Sequence, residues 1–335
     1  MAKIDNLFHL LHANHGSDLH LSAGNPPLLR IYGDLARVDA PVVTTEELLA
    51  VLREMVPMER VQAFEQTGDL DFAYEIPGLA RYRANFFRQN RGISAVFREI
   101  PQQISTVEEL GLPIMLRELA LLPKGLVLVT GPTGSGKSTS LYSILQLLNK
   151  PDVNAITLED PVEYRIDGIR QVQLNVRAGM TFASGLRSIL RQDPDVIMVG
   201  EIRDSETAQI AVQAALTGHL VLSTLHTNDA PGAVSRLMEM HIEPYLVASV
   251  LLCSFAQRLV RKVCPHCAEP YDPPRALLGL FGIKDAEGAT FRRGKGCYHC
   301  GNTGYLGRIG IFEVMPVTPE IQEAIVRRAH AQEIS

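Results

Sequence analysis

The stretch Gly131-Pro-Thr-Gly-Ser-Gly-Lys-Ser-Thr139 carries the residue types that hold nucleotide phosphates. It satisfies the pattern GxxxxGK[ST] at every position, follows a predicted strand and opens a predicted helix, a context that makes the match specific. Glycines let backbone N–H groups turn inward toward phosphate oxygens, and a helix N-terminus adds its positive dipole. The predicted phosphate cradle consists of Gly131, Pro132, Thr133, Gly134, Ser135, Gly136, Lys137, Ser138 and Thr139.

Two side chains of this stretch have distinct expected roles. The Lys137 ammonium has the length and charge to reach the β- and γ-phosphates, and the Ser138 hydroxyl is placed to ligate Mg²⁺. We therefore expect ATP as the substrate and Mg²⁺ as a cofactor. The alternative is a glycine-rich turn without a ligand, which the complete match disfavours.

Carboxylates follow two later apolar strands, at the edge where α/β sheets place their ligand sites. Glu201 ends one of these runs and is expected to hold Mg²⁺ or its water shell. The other run delivers Glu159 and Asp160, which are expected to contact the nucleotide. Glu163 follows them and is our candidate for orienting or deprotonating the attacking water. The choice of this base among Glu159, Asp160 and Glu163 stays open. The alternative interpretation is that these acids are solvated loop charges or helix caps.

Two histidines bracket the predicted central strand Leu220–Leu225. His219 precedes the strand and His226 follows it. Either imidazole is able to hydrogen-bond the γ-phosphate of a bound nucleotide. A lone histidine is more often a satisfied polar residue, so both interpretations stand.

Four of the five cysteines form two Cys-x-x-Cys pairs, Cys264 with Cys267 and Cys297 with Cys300. Four thiolates suit tetrahedral Zn²⁺, and a site closed by four protein ligands is structural rather than catalytic. A histidine inside each pair offers a substitute ligand, and four free buried thiols are the alternative. Cys253 lies in an apolar stretch and is expected to be a small buried hydrophobe.

Composition narrows the class of protein. The 335-residue chain has a formal net charge of -5, which argues against nucleic acid as a direct partner. No apolar run reaches the roughly 18 residues of a membrane span, and the N-terminus lacks the layout of a secretory signal. The sequence therefore predicts a cytoplasmic protein with no transmembrane segment.

Hydrophobic patterns predict two domains. Residues 1–100 combine helical spacing at Met1–His15 and Thr44–Met55 with alternating strands, as in an α+β domain with an antiparallel sheet. Residues 101–113 form a polar connector without a core of its own. Residues 114–335 contain continuous apolar strands between helices, which is typical of a parallel α/β sheet covered on both faces. The expected strands are Leu126–Thr130, Ala155–Leu158, Val196–Val199 and Leu220–Leu225.

Four segments, in this order, carry a resemblance to a known family: GPTGSGKST, ITLEDPVEY, DVIMVGEIRD and TGHLVLSTLHTN. They resemble the Walker A, Asp box, Walker B and His box of the secretion ATPases, the motors of type IV pili and type II secretion. The segments SDLHLSAGNPPLLRIYGDL and GLARYRANFFRQNRGISAVFREIP resemble the N-terminal domain of that family. The resemblance implies a PAS-like N-terminal domain and a RecA-like ATPase domain with a zinc module at 264–300. It further implies a homo-hexamer that works with an inner-membrane platform protein and associates peripherally with that membrane.

The resemblance also implies a role for two arginines of the N-terminal domain. Arg83 and Arg98 match the positions at which family members reach a nucleotide across a domain interface. A planar guanidinium suits stabilisation of charge on a γ-phosphate. Other arginines lie nearby, so a general basic strand surface is the alternative.

The direction of the expected work stays open. The N-terminal half most resembles pilus retraction motors, whereas the chain from Gln171 onward resembles the assembly and export motors that carry four cysteines. A DNA-translocating or conjugation-type RecA-like ATPase is one alternative function, and a nucleotide-binding scaffold that no longer hydrolyses is another. The acidic net charge disfavours the first, and the intact set of Lys137, Glu163 and Glu201 disfavours the second.

Overall fold

The computed structural model describes residues 4–14, 16–31, 33–100, 104–175, 178–283 and 288–334. Contacts divide the chain into two compact units, residues 1–102 with 262–307 and residues 103–261 with 308–335. Within the described ranges, no helix is both long enough and apolar enough to cross a membrane.

The first unit is built on an antiparallel sheet flanked by three helices in its described N-terminal residues. Its elements are α1 (Asp5–Ala13), β1 (Gly16–Ser22), β2 (Leu28–Ile31), β3 (Asp34–Arg37), α2 (Thr45–Met55), α3 (Met58–Thr67), β4 (Asp69–Ile76), β5 (Ala80–Gln89) and β6 (Gly92–Ile100). The strand order is β3-β2-β1-β6-β5-β4, with antiparallel pairing throughout. The antiparallel sheet predicted from alternating apolar residues is confirmed.

Aromatic side chains form much of the core of this unit. Phe97 meets the rings of Phe8 and Phe86 edge-on, with ring centroids 5.0 and 5.7 Å apart respectively. Edge-on contacts of this kind add to the free energy gained from burial alone. The N-cap of α2 is Thr44, which exchanges side-chain and backbone hydrogen bonds with Glu47 in a capping box.

Sequence patterns did not predict β3 and α3. All four residues of β3 are exposed, so it lacks the alternation that marks a half-buried strand. In α3 only Val61 and Phe64 are buried, which is too narrow an apolar stripe to stand out. Residues 1–3 and His15 of the expected first helix, Tyr32, and residues 101–103 of the connector lie outside the described residues.

The segment that carries the four paired cysteines, residues 264–300, also belongs to the first unit by its contacts. The prediction included it in the domain of residues 114–335. It contains β13 (Ala268–Pro270), α10 (Arg275–Leu280) and β14 (Arg292–Gly294). The two strands pair antiparallel. The division of the chain into domains at residues 100 and 114 stays a prediction.

The second unit contains the parallel sheet. Its elements are α4 (Ile114–Ala120), β7 (Gly125–Thr130), α5 (Lys137–Leu148), β8 (Ala155–Glu159), β9 (Arg170–Gln173), α6 (Phe182–Ile189), β10 (Val196–Val199), α7 (Ser205–Leu216), β11 (Leu220–Leu225), α8 (Gly232–Glu239), α9 (Pro244–Val250), β12 (Leu251–Val263), β15 (Tyr305–Pro316), α11 (Pro319–Val326) and α12 (Ala331–Ile334). The last two residues of β12 and the first three of β15 lie outside the bounds of this unit. The strand order in the described residues is β15-β12-β7-β11-β10-β8-β9. Pairing is parallel from β12 through β9.

Both faces of this sheet are covered, as the continuous apolar strands predict. Leu126 and Leu128 of β7 pack into one apolar cluster, whereas Val127 and Val129 pack into another. Because successive side chains of a strand point to opposite faces, the two clusters lie on the two sides of the sheet. All residues of β7 are buried in consequence.

One feature of the connector differs from the sequence analysis. Val107 and Leu112 are buried in the same cluster as Val127. The segment therefore packs on the parallel sheet and does not lack a core. Ile104 and Leu110 are partly buried against the same cluster. These apolar residues are scattered among polar ones, which is why composition did not reveal the contact.

Candidate phosphate site

The predicted phosphate cradle connects the carboxyl end of β7 to the first residue of α5. Gly131 has a φ of 139°, a backbone conformation that residues with a side chain rarely adopt. A Cβ at this position would lie 2.5 Å from the Gln257 carbonyl oxygen. Gly136 has a φ of 89° immediately before the helix begins. The cradle therefore requires glycine at both positions, and its shape suits a loop that wraps phosphates with backbone N–H groups.

The Lys137 side chain folds inward over this loop. Its Nζ donates to the carbonyl oxygens of Gly131 at 2.8 Å and Pro132 at 3.0 Å. Desolvation by burial lowers the pKa of Lys137, and the charge of Glu201 opposes that effect. The ammonium is thus held at the loop itself. It interacts electrostatically with Glu201, which follows β10, two strands away from β7 in the sheet.

Gln257 on β12 supports the loop through side-chain hydrogen bonds, and it is not among the predicted site residues. Its Nε2 donates to the Ser135 carbonyl at 2.6 Å, and its Oε1 accepts from the Ser140 hydroxyl at 2.8 Å. The side chain is buried. The sequence shows this amide in a mostly apolar run. A buried amide requires hydrogen-bond partners, so the pattern indicates a structural role for Gln257.

Glu201 follows β10, and β10 and β7 both pair with β11, so their carboxyl ends meet at one sheet edge. Its carboxylate is bonded by Arg203, and His226 Nε2 lies 3.3 Å from Oε2. Burial alone raises the pKa of Glu201, but the hydrogen bond and charge of Arg203, followed by His226, outweigh burial and lower it. An ionised carboxylate at this place is suited to a hard cation such as Mg²⁺.

Arg203 is a second residue that sequence reasoning missed. The hydrogen bond that it donates to Glu201 is the main cause that raises the pKa of Arg203, and the charge of Asp160 adds to it. Asp160 itself is exposed at the end of β8. The sequence does show an arginine two residues after Glu201. The prediction considered only the carboxylates of this segment.

Glu159 differs from the other acids because it is 3% exposed and its oxygens are occupied within the chain. Oε1 accepts from Thr157 and, at 3.1 Å, from Gln171 Nε2, and Oε2 accepts from the Tyr142 hydroxyl. Burial raises the pKa of Glu159, and these hydrogen bonds partly offset the rise. The carboxylate is built into the protein interior, so its expected contact with a nucleotide stays a prediction without support from this geometry.

The two histidines lie at opposite ends of β11. His226 follows the strand at the edge of the phosphate loop, beside Glu201. His219 precedes Leu220, which pairs with Gly125 at the start of β7, whereas the loop follows Thr130. Five residue steps separate those ends, roughly 17 Å along the strand. His219 therefore lies far from the loop of its own chain, and its Nδ1 is engaged with the Ala214 carbonyl at 2.9 Å. The expectation that it senses a γ-phosphate stays a prediction without support from this geometry.

Residues 90–335 match the family described as Type II/IV secretion system protein. The chain belongs to this family. The family assignment confirms the resemblance seen in the four sequence segments.

Individual members of the family give the extent of the similarity. The chain is 45% identical over 326 residues to the type II secretion system ATPase E of Vibrio cholerae, covering 94% of this chain and 65% of that protein. It is 51% identical over 251 residues to the type IV pilus assembly ATPase PilB of Thermus thermophilus, covering 72% and 28%. The crystal structure of the pilus retraction motor PilT with bound ADP aligns with a TM-score of 0.78 at 31% identity, covering 98% of this chain and 87% of that one. The chain thus spans less than two thirds of the two curated relatives.

The arginines expected from the secretion-ATPase resemblance lie in the first unit, side by side. Arg83 on β5 is paired directly with Arg98 on β6. Arg98 Nε donates to the buried Asp18 carboxylate at 2.8 Å, and Arg83 Nε lies 3.9 Å from the exposed Asp71. Because residues directly opposite each other on neighbouring strands share one face of a sheet, the two guanidinium groups lie on the same face. Their expected contact with a nucleotide stays a prediction.

The four predicted zinc ligands of this family member converge. The Sγ atoms of Cys264, Cys267, Cys297 and Cys300 all lie within 4.8 Å of one another. The separations of Cys264 from Cys297 and of Cys267 from Cys300 are both 3.8 Å. A tetrahedron with Zn–S bonds of about 2.3 Å has S···S edges of about 3.8 Å, so the cluster fits a zinc ion.

Proposed function

We propose that this chain hydrolyses ATP at the loop Gly131–Thr139 and that hydrolysis drives a type IV pilus or type II secretion machine. The observation that carries the proposal is an inward-folded Lys137 in a glycine cradle, at the same sheet edge as the ionised Glu201. Membership of the secretion family supports the motor role, since relatives are named for secretion, pilus assembly and pilus retraction.

Each group at this edge has a proposed role. Lys137 moves from its carbonyl partners to the β- and γ-phosphates, which offer a full negative charge in place of a dipole. Ser138 and Glu201 would hold Mg²⁺, which when bound neutralises charge on the phosphate oxygens. Glu163 accepts the proton of the attacking water, and His226 donates a hydrogen bond toward the γ-phosphate.

We propose the same assembly for this chain as the family resemblance implies. Six copies, each with a PAS-like and a RecA-like domain, form a ring that contacts an inner-membrane platform protein. Arg83 and Arg98 of one copy then complete the ATP site of a neighbour. Support comes from the direct pairing of Arg83 with Arg98, which places two guanidinium groups on one face of the sheet.

Phosphate release from ATP tests the proposed activity directly. The purified protein is expected to release phosphate with Mg²⁺ present and not when Mg²⁺ is chelated. Added double-stranded DNA should leave the rate unchanged, since the net charge of -5 does not favour binding to phosphate backbones. A rate that rises several-fold with DNA would favour the DNA-translocating alternative, and absence of any ATP hydrolysis would favour the scaffold.

Glu201→Gln should lower the hydrolysis rate by roughly 10²-fold while sparing nucleotide binding. The amide keeps the shape of the carboxylate but loses the charge that organises Mg²⁺, whereas the glycine cradle remains intact. Steady-state hydrolysis and binding of a fluorescent nucleotide measure the two effects. Glu206→Gln is the matched control and should keep the parent rate, because Glu206 is an exposed acid of α7 that pairs with Arg187 of α6. An equal loss in both variants would contradict the assignment of Glu201.

We propose in addition that the four cysteines hold a structural Zn²⁺. The backbone N–H of Gly304 donates to Cys300 Sγ at 3.3 Å, and the N–H of Cys297 does so at 3.2 Å. Such hydrogen bonds stabilise a thiolate, the form that binds the metal.

Cys297→Ser should reduce the zinc content from about one ion per chain to near zero and lower the thermal midpoint. The reason is that zinc holds together a segment with few buried apolar residues. Elemental analysis and thermal unfolding measure both effects. Cys253→Ala is the control for zinc content, because Cys253 lies near the start of β12, outside the cluster of four cysteines, and burial raises its pKa to about 12. A zinc-free parent protein of full stability would contradict the metal site.

A further inference from the structure

The hydroxyl of Tyr142 joins three parts of the phosphate site. Tyr142 lies on α5, one helical turn after Ser138, and its ring is 2% exposed. Its hydroxyl donates to the Glu159 carboxylate at the end of β8. The same oxygen accepts from the backbone N–H groups of Glu163 at 3.1 Å and Tyr164 at 3.4 Å.

These contacts use the whole hydrogen-bonding capacity of the hydroxyl. A phenol has one proton and two lone pairs, a carboxylate only accepts and a backbone N–H only donates. Tyr142 must therefore donate to Glu159 and accept from the two amides. Burial, followed by the charge of Glu159, raises the pKa of Tyr142, so the proton stays on the phenol at neutral pH.

The carboxylate behind Tyr142 is itself fixed. Thr157 and Gln171 bond its other oxygen, and Gln171 Nε2 also donates to the Tyr164 carbonyl at 2.7 Å. The Tyr142 ring packs edge-on against the Tyr164 ring, with centroids 4.9 Å apart. The backbone at Glu163 and Tyr164 is thereby bound to the helix that begins with Lys137.

From this geometry we infer that Tyr142, held by Glu159, is a positioning residue that fixes Glu163 relative to the phosphate loop. The inference rests on the proposed ATP hydrolysis and deepens it. Glu159 then acts through Tyr142 and not on the nucleotide, which explains why an acid of the site is buried with its oxygens occupied. A displacement of about 1 Å at a reacting group can lower a rate about 10²-fold, so a fixed backbone at this point has a large kinetic effect.

Tyr142→Phe is the first test, because it removes the hydroxyl and keeps the buried ring. We expect kcat to fall roughly 10- to 100-fold while KM changes less than about threefold, since the phosphate cradle is untouched. Rates are expressed per nucleotide-binding site, so unfolded protein does not contribute. Ser143→Ala is the matched control: it removes a buried hydroxyl from the next residue of α5, one that makes no hydrogen bond among the described residues, and should keep kcat. An unchanged kcat in Tyr142→Phe, or an equal fall in both variants, would overturn the inference.

A double-mutant cycle separates positioning from a general structural role. If Tyr142 acts through Glu163, Tyr142→Phe should cause little further loss in a Glu163→Gln background, measured by single turnover. A loss of the same fold in both backgrounds would mean that Tyr142 acts independently of Glu163, and the inference would fail. Glu159→Gln offers a second variant if Tyr142→Phe is poorly folded, and it should lower kcat in the same way but less.

Failure of this inference is distinguishable from failure of the proposed function. A parent protein without ATP hydrolysis contradicts the function itself. A parent that hydrolyses ATP, with Tyr142→Phe equal to it, contradicts only the role of Tyr142.

Discussion

Replacing Lys137 with alanine should lower ATP hydrolysis by roughly 10³-fold, the upper range for losing one preorganised charged or polar contact to a transition state. Lys137 is the only charged residue of the loop. Its Nζ already lies at the loop, bonded to two carbonyl oxygens, so little reorganisation is needed before it meets phosphate. No neighbouring residue of the cradle supplies a substitute charge. Phosphate release at saturating ATP measures the loss.

The matched control for that experiment stands at the other end of the same helix. Lys150 follows α5 and is exposed, so Lys150→Ala removes the same charge from the chain without touching the loop. It should hydrolyse ATP at the parent rate and unfold at the same temperature. Parent-like hydrolysis by Lys137→Ala would show that phosphate is bound elsewhere.

The parallel sheet and the phosphate loop were predictable because their signals are local. The apolar runs Leu126–Thr130 and Leu220–Leu225 correspond to β7 and β11 with at most one residue of difference. Fully buried strands need no alternation, and a glycine-rich turn after such a strand has few alternative explanations. The same pattern predicts that the strands run parallel. Parallel strands place His226 at the sheet edge of the phosphate loop and His219 at the opposite edge.

The supporting residues were not predictable, because their partners are distant in sequence. Gln257 bonds Ser135 and Ser140, which lie more than a hundred positions away in the sequence. Tyr142 contacts the loop after β8 because the sheet order β7-β11-β10-β8 brings that loop to α5, and the sequence does not show this order. A pattern shows that a polar side chain sits in an apolar run, but not which group it faces. The same limit applies to β3 and α3, whose burial depends on long-range packing rather than periodicity.

The second large effect concerns the arginines and tests the proposed ring. Arg83→Ala should lower hydrolysis by about 10³- to 10⁵-fold, the range found for arginines that stabilise charge on a transferred phosphoryl group. Nucleotide binding should persist, because the contact matters most in the transition state. Arg83 is the better choice for this test because Arg98 bonds the buried Asp18 carboxylate, so Arg98→Ala would also destabilise the fold. Arg88→Ala, near the end of the same strand, is the control and should remain active.

Mixing two inactive variants decides whether Arg83 acts between chains. In a shared ring of Arg83→Ala and Lys137→Ala subunits, some interfaces combine an intact loop with an intact Arg83 from the neighbour. Activity should therefore partly return on mixing, and the specific activity of the parent should rise with protein concentration as rings assemble. Rescue requires that subunits exchange, which a fluorescence energy transfer signal between two labelled preparations establishes. If subunits exchange and no activity returns, Arg83 serves its own chain or the sheet alone.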